Sequence, residues 1–434
     1  MKKLCIINSG CGGHYDLFRQ IIKSAENEYE ITIYPDEADV IIHYSCGFTE
    51  EQMAEIFKHV VFYEKVKKDG AKLIFCGCGL TGYRKELFKE LKVVDHVIIG
   101  MNILPEITQI MGVSQTDNQY YESNEGVFCI KISEGCYKPG GFCTFCKQNY
   151  LKIPYKSNYS IERICELIKS HGKPIVVLQA MNTTNYGTDF GDNKQKLHTL
   201  IKEVSKIDTV KWIQVDGVAS SCIYEELISE IEHNDKVCHV QFFIQSGSDH
   251  MLEQMNIGST IADNSKVLER FREKAVSGGV VIGHPGETWE DVKKTIQFIK
   301  EHNLWYIDVM RYKDSVMAPS GKMEKLSDEE YESRCKMVEE AVDELAYQNM
   351  RDIEAHGFMG YISELYTENG KNMAFITPLK FVGGCYVEVG KMNVKLGDKV
   401  FIHNPKIYKV SRHYFEEGTV EVTEWPRKKL QTMH

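Results

Sequence analysis

The chain has 434 residues, 43% hydrophobic and 26% charged, a composition that excludes disordered and fibrous classes and suits two or three folded domains. No run approaches the roughly 18 consecutive apolar residues of a membrane-spanning helix. The opening MKKLCIINSGCGG breaks at Asn8, Ser9 and Gly10 before a signal-peptide core forms, so a cytoplasmic protein with no membrane partner is expected. The net charge of −10 opposes tight non-specific nucleic-acid binding, but it is uneven. From Lys371 onward eleven Lys or Arg face six Asp or Glu, a local +5 that leaves −15 for the first 370 residues.

Residues 1–112 alternate apolar runs with charged, helical stretches. LCIINSG, YEITIYP, DVIIHYS, KLIFCGC and DHVIIG read as strands, and HYDLFRQIIKSAENE and TEEQMAEIFKHVVFYEKVKKD as helices. That alternation predicts an α/β domain on a parallel sheet. Residues 113–125 are polar and aperiodic and read as a linker. Over 126–325 the alternation resumes with VFCIKIS, KPIVVLQA, VKWIQVDG, CHVQFFIQSG, SGGVVIGHPG and YIDVMRY. Six strands separated by helices predict a parallel (β/α)6 partial barrel with its active groups at the C-terminal strand ends. Residues 326–370 open with a long helix, Ser327 and Glu330 standing at capping-box spacing. Over 371–434 the short runs MAFITPL, CYVEVG, KVFIH, IYKVSR and TVEVTEW predict a small β-barrel-like domain. Its basic excess suits a polyanionic partner, RNA or an acidic peptide, although a charge run is also an ordinary solvated face.

Fourteen cysteines in a large multidomain chain do not read as a disulfide framework. Free thiols serve metal ligation, catalysis or burial. Cys5, Cys129, Cys165, Cys222, Cys238 and Cys335 fall in apolar strand or helix patterns and are assigned to packing; Cys385, beside two glycines, is given no role. The loop EGCYKPGGFCTFC, after the strand VFCIKIS, gathers Cys136, Cys143 and Cys146. Three thiolates are soft ligands for an iron–sulfur cluster or for zinc. Structural zinc wants a fourth ligand, and the nearest histidine, His171, lies beyond a predicted helix.

This loop resembles the cluster loop of radical S-adenosylmethionine enzymes, with six residues between the first two cysteines where that superfamily has three. Pro139, Gly140 and Gly141 give the insertion the means to loop out. LQAMNTTNYGTDFG (178–191) and QSGSDHMLEQMNIG (245–258) resemble motifs of the methylthiotransferase family within that superfamily, and GGVVIGHPGET (278–288) resembles the superfamily's adenosine-side turn. The resemblance covers nearly the whole chain. It implies a four-iron, four-sulfur (4Fe-4S) cluster on Cys136, Cys143 and Cys146, whose open iron chelates S-adenosylmethionine. It places Gln179, Asn182, Gln245, Ser246, Gly247, Ser248, Gly283, Pro285, Gly286 and Glu287 around that cofactor. A second 4Fe-4S cluster is implied on Cys11, Cys46 and Cys78, each following a predicted strand, with Cys76 as a competitor for the third position. The implied reaction moves a methylthio group onto an unactivated carbon. One S-adenosylmethionine methylates a cluster-held sulfur, a second supplies the hydrogen-abstracting radical, and a reductant protein donates electrons. No catalytic residue beyond the cluster ligands is assigned, and His284 is read as a turn residue.

Substrate signals diverge. KQNYLKIPYKSNYS, after Cys146, lacks the arginines that tRNA- and ribosome-modifying members carry there, and the β domain matches the family's RNA-binding TRAM appendage only loosely. A peptide or protein side chain, aspartyl-like, is the first expectation, favoured by NTTNYGTDF. A tRNA adenosine is the second, favoured by QSGS and by the basic Arg427–Lys429. Two further classes stay open: a radical enzyme whose auxiliary cluster only relays electrons, and a zinc-binding interaction protein.

Overall fold

Successive residues of a strand face opposite sides of a sheet, and the N-terminal part of the chain is built on that rule. A computed structural model describes residues 1–9, 15–45, 50–77, 91–99, 103–115, 120–146, 148–191, 196–313, 318–407, 414–416 and 418–422. The chain divides into two units: Met1–Tyr121 with Thr144–Ile153 and Lys313–Lys322, and Glu122–Cys143 with Pro154–Tyr312 and Met323–His434.

In the first unit β1 (Lys2–Asn8), β2 (Tyr29–Ile31), β3 (Val40–Tyr44), β4 (Lys72–Gly77) and β5 (His96–Ile99) form a parallel sheet in the order β2-β1-β3-β4-β5. Leu4, Val40, Ile42, Ile74 and Cys76 join one core with the helices Tyr15–Ala25 and Ile103–Met111. Their neighbours Cys5, Ile41, Leu73 and Phe75 join the other, where the helix Glu50–Val66 presents Ile56, Val60 and Tyr63 at helical spacing. Burial on both faces is why these strands read as continuous apolar runs. The order reverses between β1 and β3, which puts the switch point of this open sheet at their C-terminal ends.

In the second unit β6 (Tyr120–Asn124), β7 (Val127–Lys131), β10 (Ile175–Gln179), β11 (Trp212–Ala219), β12 (Val237–Phe243), β13 (Ala275–Ile282) and β14 (Ile307–Arg311) form one sheet, ordered β14-β13-β12-β11-β10-β7-β6. From β7 to β14 every neighbouring pair is parallel, the six-stranded half-barrel that the alternation predicts. β6 falls inside the stretch expected to be a linker; its residues pair at the sheet edge although their sequence is polar. β8 (Ser133–Glu134) and β9 (Lys156–Ser157) form a two-residue ladder beside the cysteine loop. Helix starts follow local chemistry: Thr260 with Asp263, and Thr288 with Asp291, form complete capping boxes. At Ser327 only half of the expected box forms, because the Glu330 carboxylate turns to Arg334, 3.3 Å away.

The helix Asp328–His356 lays Cys335, Val338, Val342, Ala346 and Met350 along one buried stripe. Strand β15 (Phe358–Glu368) follows at once, inside the span read as a connecting helix, and turns through Asn369 and Gly370, both at positive φ, into β16 (Lys371–Pro378). β17 (Gly384–Glu388), β18 (Lys399–His403), β19 (Lys406–Ile407), β20 (Tyr414–Glu416) and β21 (Thr419–Val422) complete a sheet ordered β19-β20-β17-β16-β15-β18-β21. This β domain docks on the N-terminal ends of the barrel strands. The Trp212 indole donates to the Pro378 carbonyl at 3.2 Å, and Tyr361 and Leu379 pack on Ile175, Trp212 and Cys238. Among the described residues no helix is long and apolar enough to cross a membrane.

Candidate active site

Cys11, Cys46 and Cys78 lie outside the described residues, but the strands that lead into them are described. They follow β1, β3 and β4, three consecutive strands of the sheet, at the switch-point edge. The chain stays in register beyond the strands: Ser9 N–H donates to the Tyr44 carbonyl and Ser45 N–H to the Cys76 carbonyl, both at 2.9 Å. Gly77 has φ 145°, and a Cβ there would fall on the Ser45 carbonyl oxygen. Cys76 itself is fully buried, and burial pushes its thiol well above the usual range, so it serves the core. A residue that sequence reasoning missed supports this edge. His43, fully buried, bonds through Nε2 to Ser9 Oγ (2.7 Å) and through Nδ1 to the Tyr63 hydroxyl (2.8 Å). Burial, with the neighbouring His59, holds it down at about 3, so a neutral ring braces the residue two places before Cys11. The signal was a polar residue inside the apolar strand DVIIHYS.

In the second unit β7 leads into Cys136, and the loop up to Cys143 is held from outside by Asn256 of the MNIG segment. The Asn256 side-chain amide donates to the carbonyls of Gly140 (3.1 Å), Gly141 (3.4 Å) and Phe142 (3.0 Å). Lys138 returns the contact through hydrogen bonds to the Asn256 and Ile257 carbonyls. The long spacing between the first two cysteines is thus a clamped loop with its own partner. Cys136, Cys143 and Cys146 are all half-buried and outside any disulfide; Cys146, in the first unit, accepts the Gln148 N–H at 3.5 Å. Among the described residues no three His, Cys, Asp or Glu side chains already surround a single metal position.

The strand ends beside Cys136 are polar and incompletely satisfied. The Asn182 Nδ2 group lies 3.7 Å from Cys136 Sγ and 3.3 Å from the Tyr137 carbonyl, and Asn185 Nδ2 donates to the same carbonyl at 2.9 Å. Asn182 Oδ1, Thr183 Oγ1, Asn185 Oδ1 and Gln245 Oε1 are buried and, among the described residues, have no hydrogen-bond partner. Unsatisfied buried acceptors cost about 1–3 kcal/mol each, so a ligand with matching donors has a site prepared for it. Gln179 ends β10 half-buried. Gln245 sits at φ 69°, a conformation costly for a side-chain-bearing residue, held by backbone bonds to Gly279 and Val281. On β11, Asp216 accepts from Gln214 Nε2 (2.7 Å); burial raises its carboxyl to about 6, so it exchanges a proton near neutral pH.

Other residues expected around the cofactor are engaged in the framework. Gly247 N–H donates to Thr295 Oγ1 (3.1 Å), and a Cβ at Gly247 would strike the helix Trp289–Glu301. Ser246 Oγ bonds to Thr295, and Ser248 Oγ donates to Asp291 at 2.5 Å. Burial works to raise the Asp291 carboxyl, but bonds from Ser248, Thr288 and His250 outweigh it and hold it down at about 2. Of QSGS, then, only Gln245 keeps a free acceptor. In HPGE the Glu287 carboxylate turns back to Gly283 N–H (2.9 Å) and toward Arg334 (3.9 Å), both side chains being 4% exposed or less. Burial lifts Glu287 to about 7. Arg334 also bonds to the Glu287 carbonyl and lies 5.1 Å over the Trp289 ring. Pro285 offers its carbonyl to the His284 ring (2.7 Å), and Gly286 faces Gln254 and Met323.

Among the cysteines assigned to packing, Cys5, Cys129, Cys238 and Cys335 are buried and Cys165 is half-buried; Cys385, given no role, is buried too. Cys222 departs from that reading. It is half-buried just past β11, 3.9 Å from Asn182 Nδ2 and 3.8 Å from the Tyr137 carbonyl.

Residues 130–299 match the Radical SAM superfamily, and residues 3–99 match the uncharacterized protein family UPF0004. The chain is 30% identical over 355 residues to the ribosomal protein uS12 methylthiotransferase RimO of Clostridium botulinum (strain Eklund 17B / Type B), covering 75% of this chain and 78% of that protein. Against the protein of the same description from Clostridium acetobutylicum the figures are 32% over 336 residues, 71% and 74%. The fold is similar to that of the radical S-adenosylmethionine methyltransferase TsrM from Kitasatospora setae. The TM-score is 0.53 and the identity 12%, with 74% of this chain and 77% of that one covered.

Proposed function

Because the chain belongs to the radical S-adenosylmethionine methylthiotransferase family and is an enzyme of that type, we propose that it installs a methylthio group on a C–H carbon of a peptide or protein side chain. S-adenosylmethionine and two 4Fe-4S clusters are its cofactors, and when bound they supply the radical and the transferable sulfur group. Cys136, Cys143 and Cys146 hold the radical cluster. The fit rests on the soft three-thiolate donor set and on the unpartnered acceptors of Asn182, Thr183, Asn185 and Gln245 beside Cys136, which suit the amine and hydroxyl donors of S-adenosylmethionine. Cys11, Cys46 and Cys78 hold the second cluster at the β1/β3/β4 edge. Gly77 keeps the exits of β3 and β4 close there, and neutral His43 fixes Ser9. Asn256 sets the path of the loop between the first two ligands.

The observation that carries methylthio transfer is the coexistence of both halves: a half-barrel with its thiolate loop, and a separate sheet whose three cysteines follow consecutive strands. A protein side chain is supported by the relatives, which are described as acting on ribosomal protein uS12, and by the −15 carried by the first 370 residues, which is unfavourable to a polyanion. A tRNA adenosine is the second reading, favoured by the +5 of the last 64 residues.

The test is mass spectrometry on anaerobic reactions with reductant and S-adenosylmethionine, offering ribosomes, uS12 peptides and bulk tRNA separately. A mass gain equal to a methylthio group replacing hydrogen, on protein or peptide and absent from Cys11→Ala/Cys46→Ala/Cys78→Ala, is expected. Cleavage of S-adenosylmethionine with no sulfur in any product would sink sulfur transfer and leave an auxiliary cluster that relays electrons.

A further inference from the structure

The second unit brings a fourth cysteine to the cluster loop. Cys222 closes the short 3-10 turn Ser220–Cys222 at the C-terminal end of β11, the end of a β/α barrel where functional groups gather. Its Sγ lies 3.8 Å from the carbonyl of Tyr137, the residue next to Cys136. One side-chain amide, that of Asn182, reaches both sulfurs, at 3.7 Å to Cys136 and 3.9 Å to Cys222. Asn182 is 1% exposed, and its other end, Oδ1, has no partner. The thiol pair therefore sits against a buried polar group that is satisfied on the sulfur side and empty on the other. A packing cysteine sits within an apolar cluster, as Cys5 and Cys76 do.

We propose that Cys222 is a fourth, exchangeable thiolate ligand of the radical cluster, occupying the iron that Cys136, Cys143 and Cys146 leave open while S-adenosylmethionine is absent. The inference rests on the assignment of those three residues as cluster ligands. The exchange involves no change of oxidation state. On binding iron the Cys222 thiol would release its proton to solvent, and on displacement by the amine and carboxylate of S-adenosylmethionine the thiolate would take one back from solvent. Asn182 Nδ2 stabilises the thiolate side of that exchange, and the empty Oδ1 receives a donor from the incoming cofactor. A capped cluster resists loss of iron between turnovers, since thiolate ligation saturates the site.

The experiment uses the full chain carrying Cys11→Ala/Cys46→Ala/Cys78→Ala, so that only one cluster contributes, with and without Cys222→Ala or Cys222→Ser. Iron content, the electron paramagnetic resonance spectrum of the reduced cluster, and the rate of iron removal by a chelator are measured with and without S-adenosylmethionine. Expected is equal iron content in all forms. The cofactor-free spectrum should change in both Cys222 variants, with chelation at least several-fold faster, and these differences should vanish once the cofactor is bound. Identical cofactor-free spectra and chelation rates overturn the fourth ligand and leave the three-cysteine assignment intact. Absence of a four-iron cluster from the parent overturns both. If Cys222→Ala alone loses iron, Cys222→Ser, which keeps the side-chain volume, decides between ligation and misfolding by its spectrum.

Discussion

Consider Glu287→Gln. The wild-type carboxyl is buried with Gly283 N–H as its close donor and Arg334 at 3.9 Å, and burial raises it from its ordinary 4.5 to about 7. Below pH 4.5 folded and unfolded chains both carry the proton. Between 4.5 and 7 the folded chain keeps it while the unfolded chain releases it, so stability falls as pH rises. Above pH 7 the full loss, about 3 kcal/mol, has been incurred. Glutamine keeps an acceptor for Gly283 and carries no charge, while Arg334 retains the Glu287 carbonyl, Glu330 and the Trp289 ring. The variant is therefore expected to match wild type near pH 5 and to exceed it by about 2–3 kcal/mol at pH 8. Urea titrations followed by tryptophan fluorescence measure this directly, because Trp212, Trp289 and Trp305 lie in the same unit as Glu287. A gap between the two proteins that stays constant from pH 5 to 8, or that favours wild type more at high pH, refutes the reasoning.

Three other outcomes are expected. Asn256→Ala removes the donor shared by Gly140, Gly141 and Phe142, costs about 1–3 kcal/mol locally, and releases iron from the radical cluster faster, measured by chelation in the single-cluster background. Asp291→Asn lowers stability at pH 7 by about 2 kcal/mol, because a carboxyl held at about 2 against its usual 3.8 stabilises the fold above that range; the difference from wild type should shrink as pH falls from 4 to 2. Cys78→Ala should reduce bound iron by about half, whereas Cys76→Ser should leave iron content unchanged and lower the urea midpoint by burying a hydroxyl in the core.

Both sheets were legible in the sequence because their strands are short apolar runs separated by amphipathic helices, a pattern that needs no long-range information. Cys136, Cys143 and Cys146 stood out for a similar reason: three cysteines gathered on one loop are visible without long-range information. Strand β15 was not, since FMGYISELYTE follows the helix after the single residue Gly357 and buries mainly alternate residues until its exposed end. Nor were the directions of polar side chains. Glu287, Ser246 and Ser248 stand in motifs that suggest a cofactor, yet Glu287 bonds back to Gly283 of its own turn, and the two serines bond to Thr295 and Asp291, which only folding brings near. Asn256 and Cys222 were hidden because their partners lie 40 to 116 residues away in the chain.

The docking of the β domain at the N-terminal ends of the barrel strands sets a length scale. β10 has five residues, which at about 3.3 Å each puts roughly 17 Å of strand between the sheet that receives Trp212 and the rim that carries Asn182. The β domain's described strands and the cysteine loop thus behave as the jaws of a calliper fixed at one opening. A molecule touching both must span that gap along the outside of the barrel, a distance that takes about five residues of fully extended peptide.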